Sequence, residues 1–73
     1  MKMTMTTSTL VKMAMAYKNV SVAELARRLG TTREALRQRL SRETLKPQDL
    51  EKIAEVLGAE FVMTFRFPDG KEI

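Results

Sequence analysis

The sequence predicts a single, mainly α domain in which four short helices are followed by a C-terminal β-strand or short hairpin. Apolar residues recur at i, i+3, i+4 and i+7 in three stretches before residue 58, and the period falls to two from residue 60. Capping residues, asparagine and glycine punctuate the stretches where helices must start and stop. A chain of 73 residues has room for one domain with a small core, read here as a helical bundle over 8–58 and a strand or hairpin over 60–73.

The opening alternates Met1, Met3 and Met5 with Lys2, Thr4 and Thr6, which fits either a frayed start or a short edge strand. From Ser8 or Thr9 onward, Leu10, Met13, Ala14 and Tyr17 define the buried face of a first helix, and Asn19 is suited to the left-handed stop. Ser21 and Glu24 have capping-box spacing for a second helix, whose stripe is Val22, Leu25, Ala26 and Leu29. Gly30 closes it, because the residue past a helix end often needs positive φ and glycine has no Cβ to oppose that.

Thr31 and Glu34 repeat the capping-box spacing, so the third helix starts almost at once, with Leu36 and Leu40 one turn apart on its buried side. At about 100° per residue, Glu34, Gln38 and Ser41 point away from the core, Arg37 and Arg42 flank them, and Arg33 leads. A fourth helix opens at Pro47, with Asp49 near the positive end of its dipole, and carries Leu50, Ile53, Ala54 and Leu57 to Gly58. Beyond it Phe61, Met63, Phe65 and Phe67 alternate with Val62, Thr64 and Arg66 as a half-buried strand would. Pro68, Asp69 and Gly70 then form a turn.

Charge is unevenly distributed. The net charge is +4, but from Arg27 to Lys46 seven basic residues face two acidic ones, leaving the remainder at −1. A basic stretch in a nearly neutral chain is the pattern of a surface that meets phosphate, although basic residues on a helix are also often a solvated face. The chain has no Cys and no His, which removes disulfides, the usual zinc ligands and the commonest general base. The expectation is therefore no enzyme, no metal, no cofactor and no small-molecule ligand. Lys12 and Lys18 interrupt the longest apolar stretches, so neither a secretory segment nor a membrane span is expected and the reading is cytoplasmic.

Two short helices joined through Gly30, with small Ala26 at their crossing and one polar face on the second, make a helix-turn-helix able to set that face in a groove about 12 Å wide. The run Ser21-Val22-Ala23-Glu24-Leu25-Ala26-Arg27-Arg28-Leu29-Gly30-Thr31-Thr32-Arg33-Glu34-Ala35-Leu36 resembles the phage-repressor and Cro-like (XRE-type) helix-turn-helix family. The resemblance covers residues 10–58, including Asp49-Leu50-Glu51-Lys52-Ile53-Ala54. It implies a sequence-specific transcriptional regulator, repressor or activator, with residues 32–41 as recognition helix in the major groove of double-stranded DNA. Thr32, Arg33, Glu34 and Gln38 fall at positions that read bases or adjoining phosphates, and Arg37 and Arg42 near the backbone. Two positions depart from the pattern: Val22 stands where many relatives carry a phosphate-contacting Gln, and Arg39 where some carry an apolar residue.

Chemistry assigns roles within that set. Arg33 can make a bidentate pair with guanine and Gln38 with adenine, each discriminating by ~1 to 3 kcal/mol. Glu34 can accept from cytosine, but capping with Thr31 also accounts for it. Arg37, Arg42 and Lys46 suit phosphate, which fixes register without carrying sequence information. The apolar tail, Phe61, Met63, Phe65 and Phe67, is read as core. Since a lone strand leaves its backbone unpaired, self-pairing of the tail in a homodimer is the expected use. The alternative is a helix-turn-helix interaction module, antitoxin-like or accessory, whose tail docks on another chain.

Overall fold

The computed structural model describes residues 6–73, so the alternation over residues 1–5 lies outside the described residues. Four helices follow one another: α1 Thr7–Lys18, α2 Val22–Leu29, α3 Arg33–Arg42 and α4 Pro47–Val56. α2 lies at the centre of the bundle, packed against both α3 and α4. Leu25 and Leu36 are the largest fully buried side chains, and Val11, Met15, Ala26, Leu40, Leu50, Ile53 and Leu57 close the core around them. Among the described residues no helix is long and apolar enough to cross a membrane.

Each helix start has a local cause. Thr6 caps α1 by accepting from the Thr9 N–H at 3.1 Å, so the helix begins at Thr7, earlier than Ser8 or Thr9. Ser21 caps α2 in the same way, accepting from the Glu24 N–H at 3.1 Å. The reciprocal half of that capping box is not made, because the Glu24 carboxylate turns to Arg27 and Arg28. For α4 the roles reverse: the Asp49 carboxylate accepts from the Lys46 N–H at 2.9 Å, with Pro47 in the first turn.

The helix ends follow one scheme. Asn19 (φ 57°) and Gly30 (φ 75°) take the left-handed conformation the sequence predicts, and Glu43 (φ 56°) joins them at the end of α3. After Gly30 the Thr31 N–H returns to the Ala26 carbonyl at 3.0 Å, completing α2. Thr31 is thereby consumed as the second residue of that stop and cannot cap α3; Thr32 does so, accepting from the Ala35 N–H at 3.1 Å. The predicted capping box between Thr31 and Glu34 does not form: the cap moves to Thr32, whose partner Ala35 has no carboxylate to reach back.

Two larger expectations are also corrected. The buried face of α1 is Ser8, Val11 and Met15, with Ala14 half-buried, whereas Leu10, Met13 and Tyr17 are exposed. Both stripes have helical spacing and apolar members, so periodicity alone does not choose between them. The observed rotation buries Val11 and Met15 and also lets the Ser8 hydroxyl donate to the Leu40 carbonyl, a partner that the other stripe lacks.

The second correction concerns the tail. The C-terminal strand or hairpin does not form: among the described residues β-structure amounts to an isolated antiparallel bridge between Arg66 and Glu72. The chain does turn at Pro68, Asp69 and Gly70, with the Ile73 N–H on the Phe65 carbonyl and the Phe67 N–H on the Lys71 carbonyl, both at 2.7 Å. Nor is the Phe61, Met63, Phe65, Phe67 stripe a core of this chain. Phe61 packs against the bundle, while Met63, Phe65 and Phe67 are exposed and do not join its core. A strand needs a neighbouring ladder, and residues 65–67 meet only the three-residue return 71–73, too short a partner to extend one. The radius of gyration, 13.6 Å against about 11 Å for a compact chain of this length, reflects the exposed tail.

Candidate nucleic-acid interface

α3 is held from behind and free in front. Leu36 and Leu40 sink into the core and Ala35 is half-buried, while Arg33, Glu34, Arg37, Gln38, Ser41 and Arg42 are exposed. The structure thus brings Arg33, Glu34 and Gln38 together with Arg37 and Arg42 on one open helix. Thr32 stands at its head with its hydroxyl engaged as the cap, and Lys46 is exposed just before α4.

Electrostatics favour an anion on this helix. α3 carries Arg33, Arg37, Arg39 and Arg42 against the single acid Glu34. Glu34 lies 3.8 Å from Arg37, with both side chains more than half exposed, so the pair is weak and easily exchanged for another partner. Its carboxylate takes no part in a capping box and is exposed in the first turn of α3.

The arginines outside the open face pair with carboxylates. Arg39, the residue that departs from the family pattern, lies 3.6 Å from the Asp49 carboxylate and links α3 to the start of α4 by a partly exposed, weak ion pair. Sequence reasoning missed it because Asp49 was accounted for by the helix dipole alone. On α2, Arg27 and Arg28 both bind Glu24, the Arg28 Nε at 2.7 Å. Hydrogen bonds from Arg27 and then Arg28 hold the Glu24 carboxyl at about 2, well below its usual value, and raise Arg27 in turn. The pairing sets one acid against two arginines, which leaves a single excess positive charge on α2.

The tail stands apart from this face as a separate apolar feature. Phe65 is 75 % exposed and Met63 67 %, whereas Phe61 is the residue that pins the segment to the core.

A family model described as helix-turn-helix matches residues 12–62, a span that takes in most of α1, all of α2, α3 and α4, and the first residues of the tail. No curated protein and no solved structure matches the chain. The capped α2, the left-handed Gly30, the immediate α3 with its basic outer face and the match over most of the chain agree: the protein belongs to the phage-repressor and Cro-like (XRE-type) helix-turn-helix family of DNA-binding regulators.

Proposed function

We propose that the protein is a sequence-specific transcriptional regulator that binds double-stranded DNA as a homodimer, with α3 in the major groove. The observation that carries this reading is α3 itself, anchored by Leu36 and Leu40 and presenting a basic, polar face to solvent. Arg33, Glu34 and Gln38, with Thr32 at the helix start, read base edges; Arg37, Arg42 and Lys46 hold phosphates and set the register. One such helix reads too few bases for useful specificity, so two copies address half-sites about one helical turn apart, ~34 Å. Met63, Phe65 and Phe67 supply the contact between copies, and Phe61 anchors each tail to its own core.

Selection of bound duplexes from a random library at near-physiological salt tests this. Recovery of an inverted repeat with one-turn half-site spacing supports a dimeric reader of sequence. A folded protein that enriches no sequence overturns the proposal. That result favours the second reading, which the exposed Met63 and Phe65 also suit: an interaction module, antitoxin-like or accessory, that docks its tail on a different chain. Salt separates the two, since phosphate contacts weaken steeply as salt rises and apolar docking does not.

A further inference from the structure

α1 is apolar on both sides. Ser8, Val11 and Met15 face the core, while Leu10, Met13 and Tyr17 stand on the opposite side, where Tyr17 is 88 % exposed and Met13 55 %. A second apolar stripe, on a helix whose first already faces the core, is a surface suited to being covered. Beside this stripe runs a groove of about 270 Å³ between α1 and α4, walled by Leu10, Ala14, Ile53, Leu57, Phe61 and Val62. Leu10 belongs to both stripe and groove, and Val62 begins the exposed tail. Stripe, groove and tail are one continuous apolar surface.

Resting on the homodimer reading, we infer that residues 62–67 of one copy cover the α1 stripe and the α1–α4 groove of the other, reciprocally about a two-fold axis. Area decides between this arrangement and tails that meet only each other. Covering one aromatic side chain removes about 150–250 Å² from water, and a stable dimer covers about 800 Å² on each copy. Scaled by their exposure, Val62, Met63, Phe65 and Phe67 offer roughly 450 Å², about half of what is needed. Adding Leu10, Met13 and Tyr17 brings the total to roughly 850 Å².

The chain has no cysteine, so mixing two singly substituted proteins, Met13→Cys and Phe65→Cys, under mild oxidation tests the contact directly. The mixed covalent dimer is expected in excess over either homodimer. In parallel, Met13→Glu raises the dissociation constant of the dimer about tenfold or more by sedimentation, with helical circular dichroism unchanged. Excess Phe65→Cys homodimer, together with Met13→Glu chains that associate as wild type does, shows tails pairing with tails; it overturns the inference and leaves the homodimer standing. A wild-type chain that stays monomeric at every concentration overturns both.

Discussion

The Ser8 hydroxyl donates to the Leu40 carbonyl, tying the first turn of α1 to the last turn of α3 across 32 residues of sequence. The Leu40 carbonyl lies in the last turn of α3, where its backbone donor, the Glu43 N–H, is a long 3.4 Å away, and Ser8 is a buried polar residue in need of an acceptor. Glu43 adds to the same junction: its carboxylate accepts from the Ser8 N–H at 3.4 Å and supplies the negative charge that the first turn of α1 lacks. The helix that presents the candidate interface is thus fastened at its far end by polar groups as well as by the core.

Replacing Ser8 by Ala removes this tie without opening a large cavity. The expected cost is about 1 kcal/mol, which lowers the melting temperature of so small a domain by roughly 4–8 °C. Thermal unfolding followed by circular dichroism measures it. An unchanged melting temperature would mean that the junction contributes nothing.

Leu36 and Met13 test the assignment of faces. Leu36→Ala empties a fully buried position that holds α3 to the bundle and costs about 2–5 kcal/mol, enough to unfold much of the population. Met13→Ala, on the exposed side of α1, changes the stability of the monomer by about 0.5 kcal/mol or less. Urea unfolding at low protein concentration compares them, and similar losses for the two would contradict the rotation of α1 described above.

Adjacent residues on α3 should fail in different ways. Arg37→Ala weakens binding to all duplexes about equally and lowers the slope of log K against log salt by about one. Gln38→Ala costs about 1–3 kcal/mol on the preferred site and relaxes the choice at a single base position. Fluorescence anisotropy with a panel of single-base variants at several salt concentrations separates them. A sequence-selective loss for Arg37→Ala would reassign that residue to the bases.

Glu24 gives the fold an acid-sensitive contribution. Its carboxyl titrates at about 2 in the folded chain against an ordinary 4.5, so its ion pairs with Arg27 and Arg28 stabilise the fold in full above about pH 4.5. That contribution declines as the pH falls toward 2. Glu24→Gln should flatten stability against pH within this window and leave the profile near neutrality parallel to that of wild type. Denaturation series from pH 2 to pH 6 read the slopes, and equal slopes for the two proteins would exclude Glu24 as the source.

Most of the helix-turn-helix could be read from residues because its signals are local. Ser21, Gly30 and Pro47 act on their own turn of backbone, and Leu25, Leu36 and Leu40 lie on helices with a single apolar stripe, so one rotation satisfies them. The open face of α3 followed from that rotation alone. Thr31 and Thr32 are both capping residues, and the choice between them depended on how Gly30 closes α2, a backbone bond one residue away from what the pattern shows.

What the sequence by itself determined is therefore the number and order of the helices, the left-handed stops at Asn19 and Gly30, and the basic, outward side of α3. Tertiary structure alone decided which stripe of α1 is buried, the pairing of Arg39 with Asp49, the tie from Ser8 to Leu40 and the fate of the tail. Each of these turns on partners distant in sequence. A helix with two apolar stripes has no local reason to bury either one, and an alternating segment becomes a strand only where another edge lies beside it.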